Sequence, residues 1–315
     1  MGFFANIGGG WKVFIESLKA LFKRPVLLVP LIISWVLVAM VILWSYYNFD
    51  KFIQAKPPVS VAFVVFYLAI VAVTFIILFF NSLMLELVQQ IESGTEVSLA
   101  KAWAEVINFN LITIFCLSLL WAVVIFILAL LRAIFNRNSS GSRRNERFSW
   151  ENSARVLAGD DGQPFRWSDF GLDVLSELIG LLVFLILPAI TWENMKTKEA
   201  IKRGWRILTK HPTQFFTTYG LGFFLVFLLS VPVALVFWYS RSNEVSDAIW
   251  MLTIAYVGMV SILNIYIKQM NMALLYLWHL KWEKGGSGGD INSVPRPSLL
   301  DNVYELKNVG KSAEE

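Results

Sequence analysis

The chain has 315 residues, 57% of them hydrophobic and 16% charged, with a mean hydropathy of +0.60. A soluble globular domain is about 45–50% apolar with glycine counted, and about 25% charged, so that class is excluded. A net charge of +4 over this length gives no nucleic-acid-binding stripe, and one cysteine (Cys116) with two histidines allows no intrachain disulfide and little material for a metal site or other cofactor.

A helix needs about 20 apolar residues to cross a bilayer core of about 30 Å, and in chain order six stretches qualify. The first is preceded by an amphipathic segment, 11–25. There Trp11, Phe14, Ile15, Leu18 and Phe22 recur at helical spacing, opposite Lys12, Glu16, Lys19 and Lys23. Such a helix is expected to lie in the interface plane with its bases on anionic headgroups. The first span, 26–47, starts too deep and runs too long for a cleaved signal, so it reads as a retained anchor. The second covers 59–84. A weaker amphipathic segment with Trp103, 102–110, leads into the third, 111–131.

The connection 132–171 is rich in arginine (Arg132, Arg137, Arg143, Arg144, Arg147, Arg155, Arg166) and holds a Ser/Asn/Gly-rich stretch that reads as a loop. Spans four to six cover 172–192, 215–239 and 248–280. A basic amphipathic segment, 199–211, stands between the fourth and fifth. The tail 285–315 opens on a Gly/Ser spacer and is poor in apolar residues, so it reads as flexible.

The expected fold is all-α and integral to the membrane. Six transmembrane helices form three repeated hairpins, each preceded by an amphipathic interfacial helix, in a membrane domain over 1–284 with a cytoplasmic tail. The repeat is visible in the text. Residues 17–25 match 204–212 in class almost position by position, with 102–110 a weaker copy, and the second spans end alike at 81–86, 188–193 and 271–276. Each unit has two spans, so all three share one orientation, unlike the inverted repeats of many transporters.

Lys12, Lys19, Lys23 and Arg24 share a side with Lys196, Lys198, Lys202, Arg203, Arg206 and Lys210. The excess of bases assigns that side, and both termini, to the cytoplasm. Eight of these bases (Lys12, Lys19, Lys23, Arg24, Lys202, Arg203, Arg206, Lys210) are expected to face lipid. The Arg-rich connection then lies outside, against the same rule, although Glu146, Glu151, Asp160, Asp161 and Asp169 offset part of its charge.

Polar residues within spans are functional candidates by default. On the last span Gly258, Ser261, Asn264, Lys268, Asn271 and Leu275 follow spacings of three and four and form one stripe. The stripe reads as the lining of an aqueous path or as polar packing between helices. Glu86 and Glu193 occupy equivalent places in two repeats and read as helix caps or as ion-pair partners of neighbouring bases. Lys268 lies eight residues from their level, about 12 Å, too far for a direct pair. Asp173 and Glu177 read as a surface ion pair with Arg166. His211 and His279 show no acidic or cysteine companions. No Walker A, HExxH, GxSxG or dinucleotide fingerprint is present in a fitting context.

The expectation is a polytopic, self-associating membrane protein of organising type, without catalysis or cofactor. Its partners are the bilayer and anionic headgroups, with no nucleic acid. The alternative is a channel or transporter using the polar stripe.

One combination is more specific. Phe80, Asn81, Ser82 and Leu83, the Trp103 segment, the run from Phe184 to Pro188 with Glu193 behind it, the run from Ala200 to Trp205, and the ending from Gln269 to Tyr276 together resemble an uncharacterised bacterial family of six-span membrane proteins (domain of unknown function family 6159). The resemblance covers roughly 11–282 without the Arg-rich connection, and Gly204 stands where that family is expected to carry serine. It implies a bacterial inner-membrane protein and no particular activity.

Overall fold

The computed structural model describes residues 3–54, 58–136, 167–240, 242–285, 291 and 294. Among these there is no strand. Helix α1 (Phe3–Lys23) passes through a tight turn at Pro25–Leu28 into α2 (Val29–Gln54), which is followed by α3 (Val59–Glu92). Helix α4 (Leu99–Glu105) continues through a single π turn, Val106–Asn110, into α5 (Leu111–Asn136). Then come α6 (Trp167–Glu193), α7 (Thr197–Lys210), α8 (Pro212–Ser240) and α9 (Asp247–Lys284). Among the described residues, six apolar segments are long enough to cross a membrane: Pro25–Ser45, Ser60–Glu92, Leu99–Leu131, Leu175–Glu193, Pro212–Ser240 and Asp247–Lys284. The chain is therefore a multi-pass membrane protein.

Local chemistry sets the breaks. Pro25 opens the turn after α1, and Pro58 and Pro212 stand at helix starts, where a missing N–H costs nothing. Helix α3 ends at Ser93, followed by Gly94 in the left-handed region at φ 67°. The N-cap of α4 is Ser98, whose hydroxyl accepts from the Lys101 amide. Gln90 of α3 fastens that cap by accepting from the Ser98 amide at 2.7 Å and donating to its carbonyl at 3.3 Å. Asn194, at φ 52°, makes the turn between α6 and α7.

The helices are unequal, and this shapes the molecule. Helices α3 and α9 hold 34 and 38 residues, so they run about 51 and 57 Å, well beyond a bilayer core of about 30 Å. Spacing and hydropathy place the end of the second span near residue 84, but α3 continues because Leu85, Leu87, Val88 and Ile91 are buried. The overrunning ends of α3 and α9 and the end of α6 form the core, centred on residues such as Leu85, Leu187, Trp192, Tyr276 and Trp278. Helices α1, α4 and α7 pack around it, and we call this the flanked end. Toward the open end the surface is apolar and exposed, as at Leu43, Val64, Ile127, Phe223, Phe227 and Leu252. Such a belt suits lipid rather than water.

Helix α1 lies on α8 and α9, α4 on α3, and α7 on α6. Small residues allow close approach. A Cβ at Gly10 would come within 2.7 Å of Thr217, and one at Gly204 within 2.8 Å of Ile186. The sequence assigned the apolar stripes of these helices to the bilayer interface. In the structure much of each stripe meets protein: Val13, Phe14 and Ala20 of α1, Ala102 of α4, and Ala200 and Ile207 of α7 are buried. Trp11, Phe22, Trp103 and Trp205 remain exposed on the outer faces.

Candidate functional site

The flanked end holds a cluster of ionisable groups from three elements. Arg203 of α7 donates from Nη1 and Nη2 to the two carboxylate oxygens of Glu283 on α9, at 2.8 and 2.6 Å. Its Nε lies 3.5 Å from Glu193 at the end of α6, and Glu193 also accepts from the Tyr276 hydroxyl. The Arg203 side chain is only 12% exposed and that of Glu193 5%. Burial opposes the Arg203 charge, yet the Glu283 hydrogen bond and the nearby Glu193 charge hold its pKa above the ordinary value. The guanidinium is therefore a permanent cation, and its planar fork suits two carboxylates at once.

The cluster extends through the histidines. His279 Nε2 lies 3.1 Å from Glu283 Oε1, and its Nδ1 lies 2.9 Å from His211 Nε2. A carboxylate only accepts, so Nε2 of His279 carries the proton toward Glu283. Nδ1 of a neutral His279 then accepts from Nε2–H of His211. The Trp282 ring stacks on His279 and meets His211 edge-on, with the Lys210 ammonium 4.7 Å from its centre. His279 is fully buried and His211 nearly so. This arrangement clamps α7 and the start of α8 onto α6 and α9. Among the described residues no group of His, Cys, Asp and Glu is placed to hold a metal ion.

A second feature lies nearer the open end. Lys268 Nζ donates to Glu177 Oε2 of α6 at 2.6 Å. The Lys268 stem lines a cavity of about 470 Å³ walled by α2, α3, α5, α6 and α9, with Ile42, Ile70, Trp121, Val183 and Ile265 among its apolar walls.

The polar stripe of α9 does not line one continuous path. Gly258 sits against the Trp35 ring of α2. Ser261 bonds back to the Val257 carbonyl within its own helix, and Asn264 is half-buried. Lys268 turns to α6, while Asn271 is buried and donates to the Thr218 carbonyl of α8 at 3.4 Å.

Glu86 is buried within α3 and does not cap α4, because Ser98 holds that position. Glu193 does not cap α7, whose N-cap is Lys196, but meets Arg203. Arg203 itself is not lipid-facing: two carboxylates draw it into the clamp. Lys12, Lys19, Lys23, Arg24, Lys202, Arg206 and Lys210 are exposed, with Lys19 paired to Glu16 at 2.7 Å. The pairing of Arg166 with Asp173 and Glu177 lies outside the described residues, as do the Arg-rich connection 137–166 and most of the tail. Of the tail, Ile291 is buried in the core, and the Val294 carbonyl accepts from the Trp278 indole at 3.3 Å.

Several contacts escape the sequence reading, the Arg203–Glu283 fork among them. The His279–Glu283 contact had a signal, since the two are four apart on one helix. The Glu177–Lys268 contact had none beyond opposite charge.

No family model, no curated protein and no solved structure matches the chain.

Proposed function

We propose that this chain is a non-catalytic membrane protein of the organising type, set in a bacterial inner membrane with both termini in the cytoplasm. It gathers lipid, and further copies of itself, around its flanked end. One observation carries the reading: Arg203, Glu193, Glu283, Tyr276, His279 and His211 are engaged with one another. They hold a basic, tryptophan-bearing helix in a fixed place instead of facing a substrate pocket. The exposed Trp11, Trp103 and Trp205, with Lys12, Lys23, Lys202 and Arg206 near them, suit an interface with anionic headgroups.

In this reading the chain is three repeated hairpins, each led by an amphipathic helix. Two contacts support it: α4 lies on α3 and α7 on α6, each on the second span of the preceding unit, while α1, which opens the first unit, lies on α8 and α9. The resemblance to the uncharacterised six-span family belongs to the same proposal. Native mass spectrometry of the full chain in mild detergent tests it. A discrete homo-oligomer retaining anionic lipid is expected, and a lipid-free monomer at every concentration overturns it.

A second reading, a channel or transporter, is favoured by the Lys268-lined cavity among five spans. Purified protein in planar bilayers separates the two. A conductance whose ion selectivity changes in Lys268→Glu supports this second reading, and no conductance removes it.

A further inference from the structure

An ion pair stands inside the apolar belt, beside a cavity that the packed helices leave unfilled. On α9, Met259 and Leu252 are exposed nine and sixteen positions outward of Lys268. Those positions are about 14 and 24 Å away along the helix, farther than a lysine side chain reaches. On α3, Val61, Val64 and Phe66 are exposed outward of Ala69. Apolar surface therefore continues outward of both the lysine and the cavity it lines. A charge at such a depth is costly and is a functional candidate by default.

Among the described residues, Lys268 Nζ donates to Glu177 Oε2 at 2.6 Å and to nothing else. Two of its three N–H groups and Glu177 Oε1 have no hydrogen-bond partner there. The Lys268 side chain is 17% exposed and that of Glu177 46%, so a small group can reach both. The pair does not call for further charge, because its cation and anion already balance. It calls for one acceptor on the ammonium and one donor on the carboxylate, both from a neutral group.

The cavity, about 470 Å³ in volume, is of the size that holds a small molecule. Its lining is apolar apart from Lys268, Ser45 and Thr74, and the Thr74 hydroxyl already donates to the Ile70 carbonyl at 2.8 Å. Gly180, one turn along α6 from Glu177, lines it too. Ala69 and Leu78 of α3 both line it. Nine positions separate them, so the cavity runs about 14 Å along the helix, which suits a hydrocarbon chain better than a compact polar solute.

We infer that the cavity binds a free long-chain carboxylic acid in its neutral form, the acid's carbonyl accepting from Lys268 and its hydroxyl donating to Glu177. One group then supplies both missing partners and adds no net charge. A carboxylate would serve the ammonium but set two anions on one cation in an apolar zone. An ester would serve the ammonium alone.

The test uses the full chain in detergent with equimolar hexadecanoic acid and methyl hexadecanoate. After repurification the bound molecules are extracted and counted by mass spectrometry, which resolves any phospholipid held at the flanked end by its mass. The wild type is expected to retain the acid about tenfold over the ester, the scale of one hydrogen bond to a charged group. Hexadecanesulfonate, an anion throughout, is expected to be retained less than the acid. Ala69→Phe fills the cavity and is expected to lose acid and ester alike, with phospholipid retention and melting temperature unchanged. The double variant Lys268→Met with Glu177→Gln strands no charge and is expected to hold acid and ester equally. Should Ala69→Phe fail to fold, the wild type and the double variant decide alone. Retention of neither molecule, equal retention of acid and ester by the wild type, sulfonate held as well as the acid, or full acid retention in Ala69→Phe overturns the inference.

Discussion

Arg203 and Glu283 are separated by 80 positions and meet through two parallel hydrogen bonds, one from each terminal guanidinium nitrogen. This fork joins α7 to the end of α9, and Glu193 adds α6 to the same cation. Removing the cation strands two carboxylates where Glu193 has little access to water. Arg203→Met is expected to cost about 3–5 kcal/mol, the usual penalty for breaking a buried pair from one side. Arg203→Lys should recover only part of it, because a point charge cannot serve both carboxylates in one plane. Thermal melting in detergent measures both, and a lysine variant as stable as the wild type would contradict the role of the fork.

Spans were legible in the sequence because hydropathy is local: each apolar run reports itself without its neighbours. Contacts such as Arg203–Glu283 were not, because charge alone does not say which of many bases meets which acid. Arg203 sits among Lys202, Arg206 and Lys210 in the sequence, and it is the packing of α7 on α6 that brings it, and not its neighbours, to Glu193 and Glu283. For Lys268, Glu86 and Glu193 lie out of reach by their spacing along the helices. The lysine instead extends toward the open end, to Glu177. The long overruns of α3 and α9 were also hidden, since residues such as Gln89, Gln90 and Glu92 look like a helix end. All three are nevertheless buried among the surrounding helices, and Gln90 holds the Ser98 cap of α4.

Gly204 provides a test of close approach. A Cβ there would stand 2.8 Å from Ile186 Cγ1, while the Ile186 backbone would remain at 3.6 Å. Gly204→Ala is expected to destabilise by about 1–3 kcal/mol through overpacking. In an Ile186→Ala background the added methyl has room, so the second substitution should cost much less. A double-mutant cycle on melting free energies measures the difference, and additive costs would refute the contact.

Orientation is open to direct chemistry. Cys116 is exposed on α5 and pairs with nothing, so Cys116→Ser supplies a cysteine-free background. A cysteine placed at Lys198, on the exposed face of α7, should be shielded from a membrane-impermeant thiol reagent in intact cells and react after lysis. The basic residues around it are the reason, since an excess of Lys and Arg marks the cytoplasmic side in the proposed topology. Labelling from outside intact cells would invert the proposed topology.

The Lys268–Glu177 pair predicts a charge-swap rescue. Lys268→Glu sets two carboxylates against each other near the apolar zone, where repulsion is poorly screened, and should lower the melting temperature. Glu177→Lys sets two cations together and should do the same. Combining them restores one cation and one anion with their positions exchanged, and the stems can still extend toward each other from α6 and α9. The double variant should therefore melt above either single variant. Raised salt should help the single variants less than it helps an exposed surface pair, because partly buried charges are screened weakly. A double variant no more stable than its parents would mean that the two side chains do not act as a pair, and that the cation at position 268 answers to something else.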